Sequence, residues 1–408
     1  MQCRICKKPA LEKYLDLGNV PLANKLIPKE DVQNNEQKFP LQVMVCKNCY
    51  LSQLSIVVNP RILFSHYRYQ SSISETFKKH CAMMAMQCKQ KFSLSSEDLV
   101  VDIASNDGCL LQEFKKIGAK VMGVDPAQNV ASIAINSGIP TVIGFWSAEI
   151  AKKIEQNHGK AKFITATNVF AHVDNIDEFV DAVSMLLGDG GIFLIEVPYV
   201  VDLVKHHEFD TIYHEHLSYF LVHPLATFFN RHAMEIVDIE KFDIHGGTIR
   251  IYIKKKNNIS IDVDHTRLDI FLENEKKGGF LGMTKYKEFS EQVQQVKRDI
   301  MRLLNKLREE GAKVAAFGAS AKGNTLMNYC GITKEHIDFI VDDTPEKQGY
   351  FSPGTKIPIV PQQHLKNKVP DYLLLLVWNF ANEIMDKTQW FKERNGRYII
   401  PIPALKIL

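Results

Sequence analysis

At 408 residues the chain is too long for one ordinary domain, and two or three are expected. Its composition, 45% hydrophobic and 24% charged, can fill real cores, and a net charge of +3 gives no concentrated basic face for a nucleic-acid partner. The amino terminus carries Cys3 and charged residues rather than an apolar signal core, and the longest apolar run, residues 372–378, is too short to cross a bilayer, so a cytoplasmic protein without membrane contact is expected.

In chain order, the first chemistry is Cys3-x-x-Cys6 and Cys46-x-x-Cys49. Two short hooks supplying four thiolates match a tetrahedral structural zinc site, with a longer intervening stretch than in a compact finger. Lys7, Lys8 and Lys47 lie beside the hooks and would offset their negative charge. Cys81, Cys88, Cys109 and Cys330 lack ligand spacing and read as packed thiols. Residues 1–65 form the zinc-binding module, in which residues 15–19 read as a turn after a short strand and residues 39–45 alternate as a strand. So small a piece needs a larger body to pack on. A segment with Tyr67 and Tyr69 follows, and Ser72 or Ser74 can cap a helix over residues 75–91.

From Leu99 strands and helices alternate, which points to an α/β unit over residues 66–255. Residues 99–104 form a buried strand, residues 105–108 a tight turn, residues 109–117 a helix, and residues 118–125 a second strand ending on Asp125. An acid there can accept both ribose hydroxyls of a nucleoside. The turn has neither the three glycines of a dinucleotide fingerprint nor the lysine of a P-loop; it resembles the S-adenosylmethionine loop of Rossmann-like methyltransferases. Asp102, Ala104, Asn106, Gly108 and Asp125 are therefore the candidate cofactor residues. Phe145 and Trp146 end a third strand, where an aromatic ring can stack on adenine or join the core. Asn168, a further candidate cofactor residue, and His172 follow a fourth strand, above the carboxyl edge of the sheet. A fifth, residues 191–199, stops at Pro198 and Tyr199.

Beyond that strand end comes Tyr213-His214-Glu215-His216, one phenol, two imidazoles and a carboxylate in four residues. These side chains move protons near neutral pH. A polar loop, or a metal held by Glu215 and the two histidines, fits the same residues. Two closing strands flank His245-Gly246-Gly247, where backbone can approach a ligand. Residues 254–310 read as a charged helical connector with a solvated face. A second Rossmann-like unit completes the chain, giving a carboxyl-terminal domain of residues 256–408 with its connector. Its first turn runs through Ser320, Lys322 and Asn324 into a helix and suits a phosphate; Lys347 sits on a later polar loop.

Together these motifs resemble the S-adenosylmethionine-dependent sugar C-methyltransferases of deoxysugar biosynthesis, over nearly the whole chain. The carriers are the four-cysteine module, Tyr67-Arg68-Tyr69-Gln70-Ser71-Ser72, Ser105-Asn106-Asp107-Gly108, Asn168-Val169-Phe170-Ala171-His172, the Tyr213–His216 run, His245-Gly246-Gly247 and residues 318–323. The resemblance implies S-adenosylmethionine as cofactor, structural zinc, and a nucleotide-linked 4-keto-6-deoxy sugar as substrate. It also implies an active-site histidine at His216, supported by Tyr213, Glu215, His172 and one of Tyr67 and Tyr69. Tyr199, His245, Ser320, Lys322, Asn324 and Lys347 are then the candidate substrate residues. One departure stands out: the family loop begins Glu-Ile-Gly, whereas Asp102-Ile103-Ala104 stands here, and an alanine is expected at negative φ. An epimerase-like relative without methyl transfer and a non-catalytic nucleotide-sugar-binding scaffold are the rival readings. The oligomeric state is left open, a monomer included.

Overall fold

The structure, a computed structural model, describes every residue except His66 and Arg68, with His245 described by its backbone alone. Three sheets form. The first is antiparallel: Leu11–Val20 pairs with Phe39–Cys46, which pairs with Ser52–Leu54. Residues 15–19 are not a turn but the middle of that first strand. Its register shifts twice there, and Gly18, at φ 85°, sends its N–H back to Asp16 Oδ1, 3.0 Å away. A bulge takes up the extra residues, so the strand bends without ending.

The two cysteine hooks are built alike. Lys7 N–H donates to Cys3 O and Tyr50 N–H to Cys46 O, and both donors sit at positive φ. This turns each loop so that the four sulfurs lie within 4.8 Å of one another. A tetrahedral zinc with Zn–S near 2.3 Å needs sulfurs about 3.8 Å apart, so the cluster fits the ion. Lys7 and Lys47 turn from the sulfurs to Asp177 and Glu12.

The second sheet has seven strands in the order Met234–Phe242, Thr248–Lys255, Leu187–Pro198, Ala161–Thr167, Leu99–Ile103, Lys120–Asp125, Thr141–Ile143. The last five are parallel, and Thr248–Lys255 runs against its neighbours. Their apolar continuity follows from burial on both faces. The helix Glu75–Phe92 covers one face, and Ser74 caps it by accepting from Phe77 N–H. The third sheet, in the order Ile359–Val360, Ile340–Val341, Val314–Phe317, Tyr372–Leu375, Arg397–Ile400, Lys406–Ile407, is parallel except for its last strand.

The connector does more than link. Helix Met283–Glu309 turns its charges outward, but buries Tyr286, Phe289, Val293, Ile300, Leu304 and Leu307. Tyr286 packs 4.9 Å from the ring of Tyr14 in the zinc module, so this apolar stripe joins the module to the body.

The decisive joint is a two-residue strand, Ser218–Tyr219, which adds to the zinc module's sheet through Gln53↔Ser218 and Ser52↔Tyr219. Leu54 N–H also donates to Leu217 O at 2.9 Å. The proton-active run thus ends as an edge strand of the zinc module, although most of the methyltransferase-like sheet lies between the partners in the chain.

Candidate active site

The cofactor loop leaves strand Leu99–Ile103 with Ala104 at φ 58° and Asn106 at φ 51°, and Gly108 at φ 79° starts the helix Cys109–Lys116. The expected negative φ at Ala104 is therefore corrected: the turn geometry overrides the residue's preference, at about 1–2 kcal/mol of strain. Asp125, 5% exposed at its strand's end, accepts from Asn106 N–H and Ala127 N–H, each at 2.8 Å. A buried carboxylate above a loop of three left-handed residues can accept from the ribose hydroxyls of a nucleoside. Burial raises its pKa. Asp102 lies deeper, its Oδ1 accepting from the Thr165 hydroxyl at 2.6 Å; burial pushes its pKa up to about 7. The tyrosine segment straps the loop: Ser71 N–H donates to the Asn106 side-chain oxygen and Ser72 N–H to the Asp107 carboxylate, and Asn106 Nδ2 donates to Tyr69 O. Phe145 remains 38% exposed beyond its strand, while Trp146 turns inward to Phe179, its Nε1–H on Phe179 O. Trp146 is core.

Over the carboxyl edge the rings gather. His216 lies 4.0 Å from Tyr213 and 4.9 Å from His172, centroid to centroid, and Phe64 stacks on His172. His216 Nδ1 is 2.8 Å from Thr211 O. A carbonyl only accepts, so the proton is on Nδ1 and Nε2 is the basic nitrogen. Burial lowers the His172 pKa to about 4. Of the two tyrosines, Tyr67 reaches Glu215, its hydroxyl 3.3 Å from Oε2, and Tyr69 packs edge-on against Tyr67. Burial raises Glu215 to about 7, against the lowering effect of its hydrogen bonds from Asn24 and Tyr67. The Tyr67 and Tyr213 phenols are pushed well above their ordinary value, first by burial. His214 faces away: 2% exposed, it meets the Phe39 ring of the zinc module edge-on, and burial lowers its pKa. Among the described residues, the four cysteines are the one cluster able to hold a metal ion.

Sequence reasoning passed over two supports. Asn24 of the zinc module donates to Glu215 Oε1 at 2.7 Å. Glu196, whose carbonyl accepts from Asn168 N–H, turns its carboxylate to Arg250 Nε at 2.7 Å and His80 Nε2 at 3.0 Å. Glu196 and Arg250 are both fully buried. Arg250 in register with Glu196 on the adjacent strand carries a period-2 signal, but nothing in the sequence aligns those strands. Asn168 itself sits at φ 56° at the sheet edge.

The candidate substrate residues scatter. Tyr199 is buried and donates to Glu275 Oε1 at 3.0 Å. The Gly246-Gly247 backbone presses on the carboxylates of Glu208 and Asp202 so closely that a side chain at either would collide; the side chain of His245 lies outside the described residues. Ser320 caps the helix Ala321–Cys330. Asn324, 1% exposed, spends its amide on Ala23 O at 2.8 Å. Lys347 donates to Ala319 O and pairs with Asp342. Lys322 lies over the Trp378 ring, and its charge acts on the buried carboxylates of Glu208 and Asp210. Burial still holds Glu208 up at about 8.

A Rossmann-like sheet with a nucleoside-type loop, a thiolate module and a ring of proton-active groups defines a zinc-stapled, cofactor-dependent transferase. Three family models tile the chain: a zinc binding domain over residues 3–64, a methyltransferase domain over 82–238 and a C-methyltransferase C-terminal domain over 243–403. C-methyltransferase NovU of Streptomyces niveus is 37% identical over 410 residues, covering 100% of this chain and 96% of its own. The chain belongs to this family of S-adenosylmethionine-dependent C-methyltransferases with an amino-terminal zinc-binding domain. Among solved structures, a methyltransferase from Clostridium acetobutylicum overlays with a TM-score of 0.34 at 15% identity, over 44% of this chain and 92% of that one. The plantazolicin methyltransferase BamL overlays with a TM-score of 0.35 at 15% identity, over 45% and 86%.

Proposed function

We propose that the enzyme methylates a ring carbon, C3, of a nucleotide-linked 4-keto-6-deoxy sugar through an enolate. The observation that carries this reading is the ring cluster: His216 with Nδ1–H fixed by Thr211, beside Tyr213 and His172, and Tyr67 on Glu215, all over the sheet edge that holds the cofactor loop. A 4-keto group acidifies the hydrogen on the adjacent carbon. His216 Nε2 takes that proton, and the electron pair moves onto O4. The phenol of Tyr213, kept protonated by burial, can donate to that oxygen as charge develops, where preorganised donors count most, while the Tyr67 hydroxyl donates to Glu215 beside it. Asp125 and the 104–108 loop would hold S-adenosylmethionine, whose chemistry would be to give its methyl group to the enolate carbon, the methyl–sulfur bond breaking with its electron pair left on sulfur as S-adenosylhomocysteine; alignment of two bound molecules would provide much of the acceleration. Cys3, Cys6, Cys46 and Cys49 would hold zinc in a structural role, fixing the two hooks of the module. In the carboxyl-terminal unit, Lys322 and the Ser320 helix start are assigned to the nucleotide diphosphate, with Asn324 and Lys347 shaping that turn through Ala23 and Ala319.

The test is mass spectrometry of the product after incubation with a panel of nucleotide-linked 4-keto-6-deoxy sugars and methyl-labelled cofactor. One sugar should exchange a carbon-bound hydrogen for one labelled methyl. Labelled methyl on oxygen or nitrogen, or a change of configuration without mass gain, refutes the reading.

A further inference from the structure

The zinc module reaches into the active site at one side chain. Between its first two strands the chain forms a loop in which Leu22, Ala23, Leu26 and Ile27 are buried and Asn24 is half-buried. Asn24 Nδ2 donates to Glu215 Oε1 at 2.7 Å, while the Tyr67 hydroxyl approaches Oε2 at 3.3 Å. Among the described residues, each carboxylate oxygen thus has one donor. The loop is also held by the carboxyl-terminal unit. Asn324 donates to Ala23 O at 2.8 Å, and Ile27 and Phe351 exchange both backbone hydrogen bonds. Asn324 belongs to the helix that the Ser320–Lys322 turn begins.

We propose that Asn24 is a positioning residue for methyl transfer: it aims the Glu215 carboxylate at the Tyr67 hydroxyl, and Asn324, through Ala23, ties that aim to the carboxyl-terminal unit. The proposal rests on the function given above, because it takes Tyr67 and Glu215 to stand at the reacting centre. Its physical content is simple. A carboxylate accepts and cannot donate, so while Asn24 donates to Oε1 the other oxygen accepts from Tyr67, whose proton is then ordered. Without the amide the carboxyl group can turn or bind a proton, and a protonated carboxyl competes to donate to Tyr67. A charge-assisted hydrogen bond of this kind corresponds to about tenfold to a hundredfold in an equilibrium.

Among the described residues, the groups facing Glu215 are the phenols of Tyr67 and Tyr213, with Tyr69 next to both and His216 beyond Tyr213. The three phenols stay neutral near pH 7, so differences between a variant's pH profile and the wild-type profile report on Glu215. Asn24→Ala removes a donor that favours the ionised form, so Glu215 titrates higher than about 7 and lost rate returns as pH rises. Asn24→Asp keeps the shape. Its new carboxyl group repels Glu215 when ionised and donates to it when protonated, so lost rate returns as pH falls.

The experiment compares wild type, Asn24→Ala, Asn24→Asp and Asn324→Ala for kcat and KM with the sugar nucleotide that wild type methylates, from about pH 6 to 9, the span in which such groups titrate. Zinc content and cofactor affinity serve as fold controls. Expected at neutral pH is a kcat loss of about tenfold to a hundredfold for Asn24→Ala with KM little changed. The two Asn24 variants should recover in opposite pH directions, and Asn324→Ala should show a smaller loss of the Asn24→Ala kind. If Asn24→Ala does not fold, the isosteric Asn24→Asp profile decides. A wild-type enzyme that methylates no sugar overturns the function proposed above. A methylating wild type whose Asn24 variants keep its rate, or lose rate with an unshifted profile, overturns this inference alone.

Discussion

His216→Asn is the sharpest perturbation of the chemistry. The Asn side-chain amide can still donate to Thr211 O, as Nδ1–H does at 2.8 Å, so the run keeps its local anchor while the basic Nε2 is lost. A general base commonly contributes about 10²–10⁴-fold, or about 2.7–5.4 kcal/mol at 1.36 kcal/mol per decade. His172 cannot easily substitute. Its pKa, brought down by burial from 6.5 to about 4, makes protonation on the order of 3 kcal/mol less favourable than on an ordinary imidazole. The assay is solvent deuterium exchange at the carbon beside the ketone, without cofactor, followed by mass spectrometry. His216→Asn should lose at least two orders of magnitude in exchange rate, about the lower bound for a lost base. Both ligands should still bind, because the base anchors neither. His172→Asn should exchange more slowly than wild type but faster than His216→Asn. If instead His216→Asn exchanges normally and His172→Asn does not, the base is His172 and the reasoning from tautomer and burial fails.

Metal analysis should find one zinc per chain. Cys46→Ser should lose it and, because Arg4 Nη1 donates to both Leu54 O and Leu217 O next to His216, lose activity together with solubility rather than after it; metal-free protein with full activity would contradict this. Ala104→Gly should relieve left-handed strain and raise stability by about 1 kcal/mol without weakening cofactor binding, measured by thermal unfolding and calorimetry; a loss of stability would mean that the loop relaxes to negative φ in solution. Lys322→Ala should raise KM for the sugar nucleotide and leave cofactor affinity alone, and the opposite pattern would move the cofactor to the second unit.

What the sequence determined by itself was local or periodic. The cysteine spacing specified a thiolate cluster, because two hooks of fixed geometry need only meet once. Alternating apolar runs ending in small or acidic residues specified two Rossmann-like sheets, down to Asp125 at its strand end. The tyrosine segment, the Asn168–His172 segment and the Tyr213–His216 run were each recognisable as chemistry. What only the tertiary structure decided was how they face one another. The bulged strand at residues 15–19 and the positive φ of Ala104 are stabilised by neighbours that no local window contains. Trp146 turned to the core rather than outward because Phe179 lies against it. That His216 turns to His172 while His214 turns to Phe39, that Tyr67 rather than Tyr69 meets Glu215, and that Asn24 completes the pair depend on how the zinc module, the cofactor loop and the carboxyl-terminal unit meet around the run. Such contacts join distant parts of the chain: 191 positions separate Asn24 from Glu215, and 148 separate Tyr67 from it. They arise from long-range strand pairing and shared burial, for which a single sequence carries no local signal.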